Sequence, residues 1–220
     1  MSIRIVTISR QYGSGGRNIG HELAKKLGIK FYDKIFLEEV ATELGYTPEY
    51  VKNAGEYAQG SAMGFIPITP DTPAIRGDIH LPDDRVVALQ NDLVISAADK
   101  SPCVIVGRAA NYLLRDRSDV LNVFIYADEE YKVARMLKYY GVTSREEALK
   151  KMKNRDRQRS KHYRYYTDGK WGDLSEYDIA LNTAVLGQNL SVDLLVAAFN
   201  QAGDFTDATT SNQKKLYDNE

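Results

Sequence analysis

The chain has a single cysteine, Cys103, in 220 residues, so no internal disulfide can form. A protein of this size builds a core without such a staple, and one lone thiol suits a reducing compartment. No apolar stretch approaches the ~20 residues of a membrane span. Met1-Ser2-Ile3-Arg4 runs directly into a strand pattern, without the apolar h-region of a secretory leader. A cytoplasmic protein with no membrane partner is the expectation. There are three histidines; His80 and His162 have no metal-ligand spacing around them. An excess of one charge is also missing: Lys and Arg number 29 against 30 Asp and Glu, for a net charge of -1. A surface that coats nucleic acid should be strongly basic, so nucleic acid is disfavoured as a partner and any work on anions must come from a local patch. Hydrophobic residues at 43% and charged residues at 27% exclude wholesale disorder.

What is present alternates. Ile3–Ile8 is an apolar, β-branched run, and Ile19, Leu23, Ala24 and Leu27 recur at helical spacing up to Gly28. Residues 29–33 predict a second strand, 34–44 a helix, and Thr47-Pro48 the start of another. Residues 59–84 break this rhythm; they hold four of the six prolines and no clear period. Helix is predicted again over 85–99, strand over 103–106, a helix-like run after Gly107-Arg108, and strand over 120–126. Asp128 is placed as the cap of a helix through Tyr140, and Ser144 as the cap of a basic helix through about 163. A last strand is expected at 177–181 and a last helix at 191–202, capped by Ser191. This pattern predicts one α/β domain over 1–202, three layers deep around a mostly parallel five-stranded sheet, with a polar tail over 203–220. Ligands in such sheets sit beyond the carboxyl ends of the strands. The glycine loop after the first strand, Asp33 after the second and Arg108 after the third all belong there.

The loop reads Gly13-Ser14-Gly15-Gly16-Arg17-Asn18 between a buried strand and a helix. Small residues let backbone N–H groups approach phosphate oxygens, and the helix N-terminus adds positive potential. On the frame G-x-x-x-x-G-K-[ST], Gly16 matches the second glycine. Gln11, Arg17 and Asn18 stand where glycine, lysine and Ser/Thr belong. A dinucleotide fingerprint is the rival reading, from Gly13, Gly15 and an acid at Asp33, but Asn18 replaces its third glycine. A plain tight turn is the third. Residues 150–164 hold eight cations and one acid. Arg155 and Arg159 share a helix face, and Asp156 can orient a neighbouring guanidinium. Guanidinium forks suit phosphate oxygens. A solvated face, or a nucleic-acid patch interleaved with tyrosines, competes with an arginine lid over a nucleotide.

Four stretches together resemble the nucleoside monophosphate kinases, most closely the cytidylate kinase-like family. They are Ile8–Ile19, Phe31-Tyr32-Asp33, Val104–Arg108 and Arg155-Asp156-Arg157-Gln158-Arg159, in an order and spacing that agree over residues 3–202. The departures are Arg17 for the phosphate-loop lysine, Asn18 for its Ser/Thr, Ala109 for the aspartate after Gly-Arg, and Lys34-Ile35 for serine-glycine after Asp33.

The resemblance implies a P-loop kinase fold with a helical monophosphate-binding insertion over 34–102 and a lid over 155–172. It implies phosphoryl transfer from ATP, with Mg²⁺, to a small phosphorylated acceptor, with CMP or dCMP foremost. Gly13, Ser14, Gly15, Gly16, Arg17 and Asn18 would bind the nucleotide. Arg17, Arg108, Arg155 and Arg159 would act on the transferring group. Asp33, Arg108, Asp156 and Arg159 would hold the acceptor, with Ser14 or Asn18 at the metal. A helix N-cap role for Asp33 stands beside its ligand role. A kinase of another small molecule, and an ATP-holding regulator without turnover, remain as alternatives.

Overall fold

The computed structural model describes residues 2–33 and 82–201. The predicted helices at 34–44 and after Thr47, the irregular stretch up to residue 81 and the tail from 203 lie outside the described residues. Five strands form one sheet in the order β2-β3-β1-β4-β5: β1 (Ile5–Arg10), β2 (Lys30–Tyr32), β3 (Cys103–Val106), β4 (Val120–Tyr126) and β5 (Ile179–Asn182). All four pairings are parallel, with Ile5 opposite both Cys103 and Val120. Parallel strands must be covered on both faces, which explains why every residue of β3, and every residue of β1 except Arg10, is buried.

The two-residue period sorts their side chains into two layers of core. Val6, Ile8, Val104, Val106, Val123 and Ile125 face α1 (Gly16–Leu27) and α6 (Thr183–Gln201), meeting Ile19, Leu23, Val192 and Leu195. Ile5, Cys103, Ile105 and Val120 face the other way, against α2 (Pro82–Lys100) and the short α3 (Ala110–Leu113), where Val94, Ala98, Ala110 and Leu114 are buried. The result is a three-layer α/β/α domain. A third cluster joins α4 (Glu129–Tyr139) to α5 (Arg145–Thr167) through Val133, Met136, Val142, Ala148 and Met152. Tyr12 of the glycine loop packs on it.

The described part of the 34–102 segment is residues 82–102, and its helix α2 forms part of the sheet's outer layer. Four boundaries depart from expectation. The strand expected at 177–181 runs from Ile179, because Tyr177 closes a 3₁₀ turn over Leu174–Glu176. Asp128 occupies the N-cap position of α4 without a side-chain cap bond; its carboxylate accepts instead from Asn182 (3.4 Å). The basic helix α5 continues to Thr167, whose hydroxyl donates to Tyr163 O (2.7 Å), and it ends at Asp168 with φ 52°. Ser191 is not a cap. Helix α6 begins at Thr183 and breaks at Gly187 (φ 70°), and the Ser191 hydroxyl donates to Gly187 O (2.6 Å) one turn back. Among the described residues no helix is long and apolar enough to cross a membrane.

Candidate active site

The strand order sets the ends of β2, β3 and β1 side by side, and the residues following them meet there. Gly13 and Gly15 adopt φ 86° and 87°, a left-handed conformation that favours glycine, and α1 begins at Gly16. The loop is buttressed from three directions. Thr183 Oγ1, fully buried, donates to Ser14 O (2.7 Å). Arg135 Nε donates to Gly13 O (3.0 Å), and the same guanidinium reaches the Gln188 amide oxygen (2.6 and 3.0 Å). Lys132 Nζ donates to Gln11 Oε1 (2.9 Å). Ser14 itself is fully buried and its hydroxyl donates to Gln11 O (2.8 Å). Of the two residues considered for a metal, Asn18 is therefore the one that faces solvent.

Arg17, on the first turn of α1, is bound to Asp33: Nε and Nη2 lie 2.7 and 2.6 Å from Oδ2. Asp33 is buried while Arg17 is more than half exposed. This pair joins the glycine loop to the end of β2, in keeping with the placement of both at one rim.

Beside it lies a cavity of about 300 Å³. Arg10, Arg108, Arg155 and Arg159 line it together with Tyr12, Gln158, His162, Tyr163 and Trp171, and no described carboxylate does. The turn that supplies Arg108 is strained: Gly107, Arg108 and Ala109 have φ of 86°, 61° and 50° in succession. Left-handed non-glycine residues persist only where surrounding structure enforces them, and they gather at functional sites. Arg159 is fixed on two sides, donating to Arg10 O and to Asp156 Oδ1, both at 3.0 Å. Asp156 Oδ1 also accepts from the Tyr12 N–H (2.8 Å). Asp156 stands behind the cavity wall and orients an arginine, the role its helical spacing suggested.

Burial shapes the electrostatics. Desolvation lowers the Arg159 pKa, with Asp156 opposing, and raises that of Asp156, with Arg159 opposing. His162 is held down at about 4 by burial and then by Arg108, so its ring is neutral at pH 7. Arg10 falls to about 9, from burial first and then from the nearby charges of Arg159 and Arg108. Tyr163 is pushed up to about 12, chiefly by burial. Its hydroxyl accepts from Asn111 Nδ2 (2.9 Å) and donates to Glu176 Oε2 (3.3 Å), tying α5 to the segment after β3.

Of the candidate residues, Arg108, Arg155 and Arg159 thus share one cavity, Arg17 and Asp33 form one pair, and Gly13 to Asn18 form the adjoining turn. Sequence reasoning missed Arg10, Lys132, Arg135, Gln188 and Thr183. Arg10 had one usable signal: a cation at the carboxyl end of an otherwise buried strand.

A chloride-sized anion would not need four guanidiniums and a glycine turn, whereas a pair of phosphorylated ligands would use both. Among the described residues no cluster of three His, Cys, Asp or Glu could hold a metal by itself.

Known proteins resemble this chain in sequence, and a solved structure resembles it in fold. The Pyrococcus horikoshii cytidylate kinase is 25% identical over 213 residues, covering 96% of each chain. That of Methanosarcina mazei is 30% identical over 173 residues, covering 79% of this chain and 91% of its own. The crystal structure of an uncharacterized protein from Eubacterium ventriosum superposes with a TM-score of 0.67 at 25% identity, covering 89% of this chain and 97% of that one. The model of the cytidylate kinase-like family matches residues 5–185, which span the glycine loop, the Gly107-Arg108 turn and the whole of α5. By that match the chain belongs to the cytidylate kinase-like family.

Proposed function

We propose that the protein transfers the γ-phosphoryl group of ATP to a nucleoside monophosphate, with CMP or dCMP as the first acceptor. The observation that carries this reading is the cavity lined by four guanidiniums and no described carboxylate, adjoining a glycine turn at a helix N-terminus. The cytidylate kinases among the relatives support the choice of acceptor.

Phosphoryl transfer demands in-line positioning and cations around a group whose charge is shared by several oxygens. Backbone N–H groups of Gly13 to Arg17 hold the β-phosphate of ATP. Arg17 exchanges Asp33 for β/γ oxygens; being a planar fork, it grips two oxygens where a lysine would touch one. Arg108, Arg155 and Arg159 hold the acceptor phosphate and the group in transit. An acceptor oxygen forms the new bond to the γ-phosphorus as the bond to the β–γ bridging oxygen breaks, and ADP leaves. Asp156 keeps Arg159 in its fork geometry, and Asp33 faces the acceptor side. Asn18 and Asp33 are the oxygen donors that would meet a Mg²⁺ carried in with ATP, or its waters, and the ion would supply positive charge to the phosphate oxygens. The 155–172 segment acts as the lid that keeps water from the γ-phosphate, and 34–102 as the acceptor-binding insertion.

The test is ADP release from Mg·ATP with CMP, dCMP, UMP, AMP and GMP in turn. ADP formation that depends on acceptor, and is fastest with CMP or dCMP, is the expected result. A blank with every acceptor would remove the reading. A second reading draws on the Arg17–Asp33 pair, which ties up the residue in the lysine position: an ATP-holding regulator. Tight ATP binding without turnover would select it.

A further inference from the structure

Arg10 ends β1, between a strand whose other residues are all buried and the loop that holds phosphate. Its side chain lies against Gly107, where a Cβ would collide with Nη1, so the turn after β3 is shaped to admit it. Arg108 and Arg159 stand close enough to depress its basicity. Asp33 and Asp156 offset this only in part, and their bonds go elsewhere: Asp33 to Arg17, and Asp156 to Tyr12 N–H and Arg159. Among the described residues its guanidinium makes no ion pair. Its carbonyl accepts from Arg159 Nη1, so the same residue also fixes a second guanidinium.

Like charges do not gather in a desolvated place for stability's sake; removing a counter-ion from such a group is costly. A ligand that brings two negative charges supplies what the described residues do not. We propose that Arg10 is a phosphate-binding residue, its guanidinium holding the acceptor's phosphate from the floor of the cavity together with Arg108 and Arg159. The identity of the anion rests on the kinase reading, but the need for an anion does not. A strand end also suits the task, since groups on the sheet are held more firmly than groups on loops.

The test compares Arg10→Gln and Arg10→Lys with the full-length wild type. CMP, inorganic pyrophosphate and ATP are titrated calorimetrically, and each ligand-free protein is melted. Loss of one charged, paired contact should weaken CMP and pyrophosphate at least tenfold in Arg10→Gln. Arg10→Lys should recover part of that loss. ATP, held by the glycine loop, should change less than threefold. Without ligand, Arg10→Gln should melt at or above the wild type, whereas a structural arginine would melt lower when removed. Should Arg10→Gln melt far below the wild type, Arg10→Lys carries the binding test. Equal CMP affinity in Arg10→Gln and wild type overturns the role, as does a wild type that binds neither probe. A wild type that binds both probes yet phosphorylates no acceptor ends the kinase reading while Arg10 still stands on its binding. Transfer to CMP that is indifferent to Arg10→Gln does the reverse.

Discussion

Acidification should weaken the fold through one side chain, His162. The ring lies on α5, facing the arginine cavity and 4.6 Å from the Tyr166 ring centroid. Burial, with Arg108 adding repulsion, holds its pKa down at about 4, against 6.5 for a free imidazole. Between those values the unfolded chain binds a proton that the folded chain refuses. Above 6.5 the group adds no slope. Stability falls as the pH drops from 6.5 toward 4, and the loss is complete below 4. At ~1.4 kcal/mol for each pH unit between the two values, the ceiling is roughly 3 kcal/mol, of which about 2 is reached by pH 5. Water in the cavity lowers this to on the order of 1–2 kcal/mol. Urea unfolding midpoints at about pH 7.5, 6 and 5, for wild type and His162→Gln, isolate the contribution, because the carboxylates titrate alike in both. The wild type should lose more stability than the variant over this range. A dianion in the cavity would offset Arg108, so saturating CMP should shrink the difference. Parallel curves for the two proteins would refute the burial argument, and a steeper fall in His162→Gln would reverse its sign.

Three further outcomes follow from the same geometry. Asp156→Ala removes the acceptor of the Tyr12 N–H and leaves Arg159 only the Arg10 carbonyl, which should cost about 2–4 kcal/mol in urea unfolding and lower kcat. Asp156→Asn, which keeps an acceptor for Tyr12, should cost less than half as much. Thr183→Val removes the buried bond to Ser14 O and should cost about 1–3 kcal/mol. It should raise KM for ATP while leaving KM for the acceptor within a factor of two, as steady-state kinetics would read. Arg17→Ala should lower kcat/KM for ATP at least tenfold; because Arg17 is more than half exposed but the Asp33 it leaves behind is buried, urea unfolding should report a loss of about 1–3 kcal/mol.

The parts of this molecule legible in its sequence are those that local physics encodes. β3 follows from an uninterrupted apolar run and β4 from one broken only by Asn122. The end of α1 follows from Gly28, which takes φ 66° to satisfy the last carbonyls. The start of α5 follows from Ser144, whose hydroxyl accepts from Glu147 N (3.1 Å). The candidate site was half legible for the same reason. Glycines at a strand end and arginines one helical turn apart are short-range patterns, so they announce phosphate chemistry without any knowledge of the fold. The missed residues act over long separations. Thr183 reaches Ser14 across 169 positions, and Arg159 reaches the Arg10 carbonyl across 149. No period contains such a contact; it arises when the order β2-β3-β1-β4-β5 puts β1 beside β3 and brings α5 over the end of β1. Arg10 shows the difference most sharply. By its neighbours in the chain it is a polar residue closing a strand. By its neighbours in space it is one of four guanidiniums round a cavity that no described carboxylate lines, over a glycine ninety-seven residues on whose missing Cβ leaves room for it. The opposite error, the placement of Ser191 as a cap, has the same root. A serine before an apolar run is a good local signal, but helix α6 already starts at Thr183, where Asn182 Oδ1 accepts from Ala184 N (3.0 Å), and the later serine is left to bond back to Gly187.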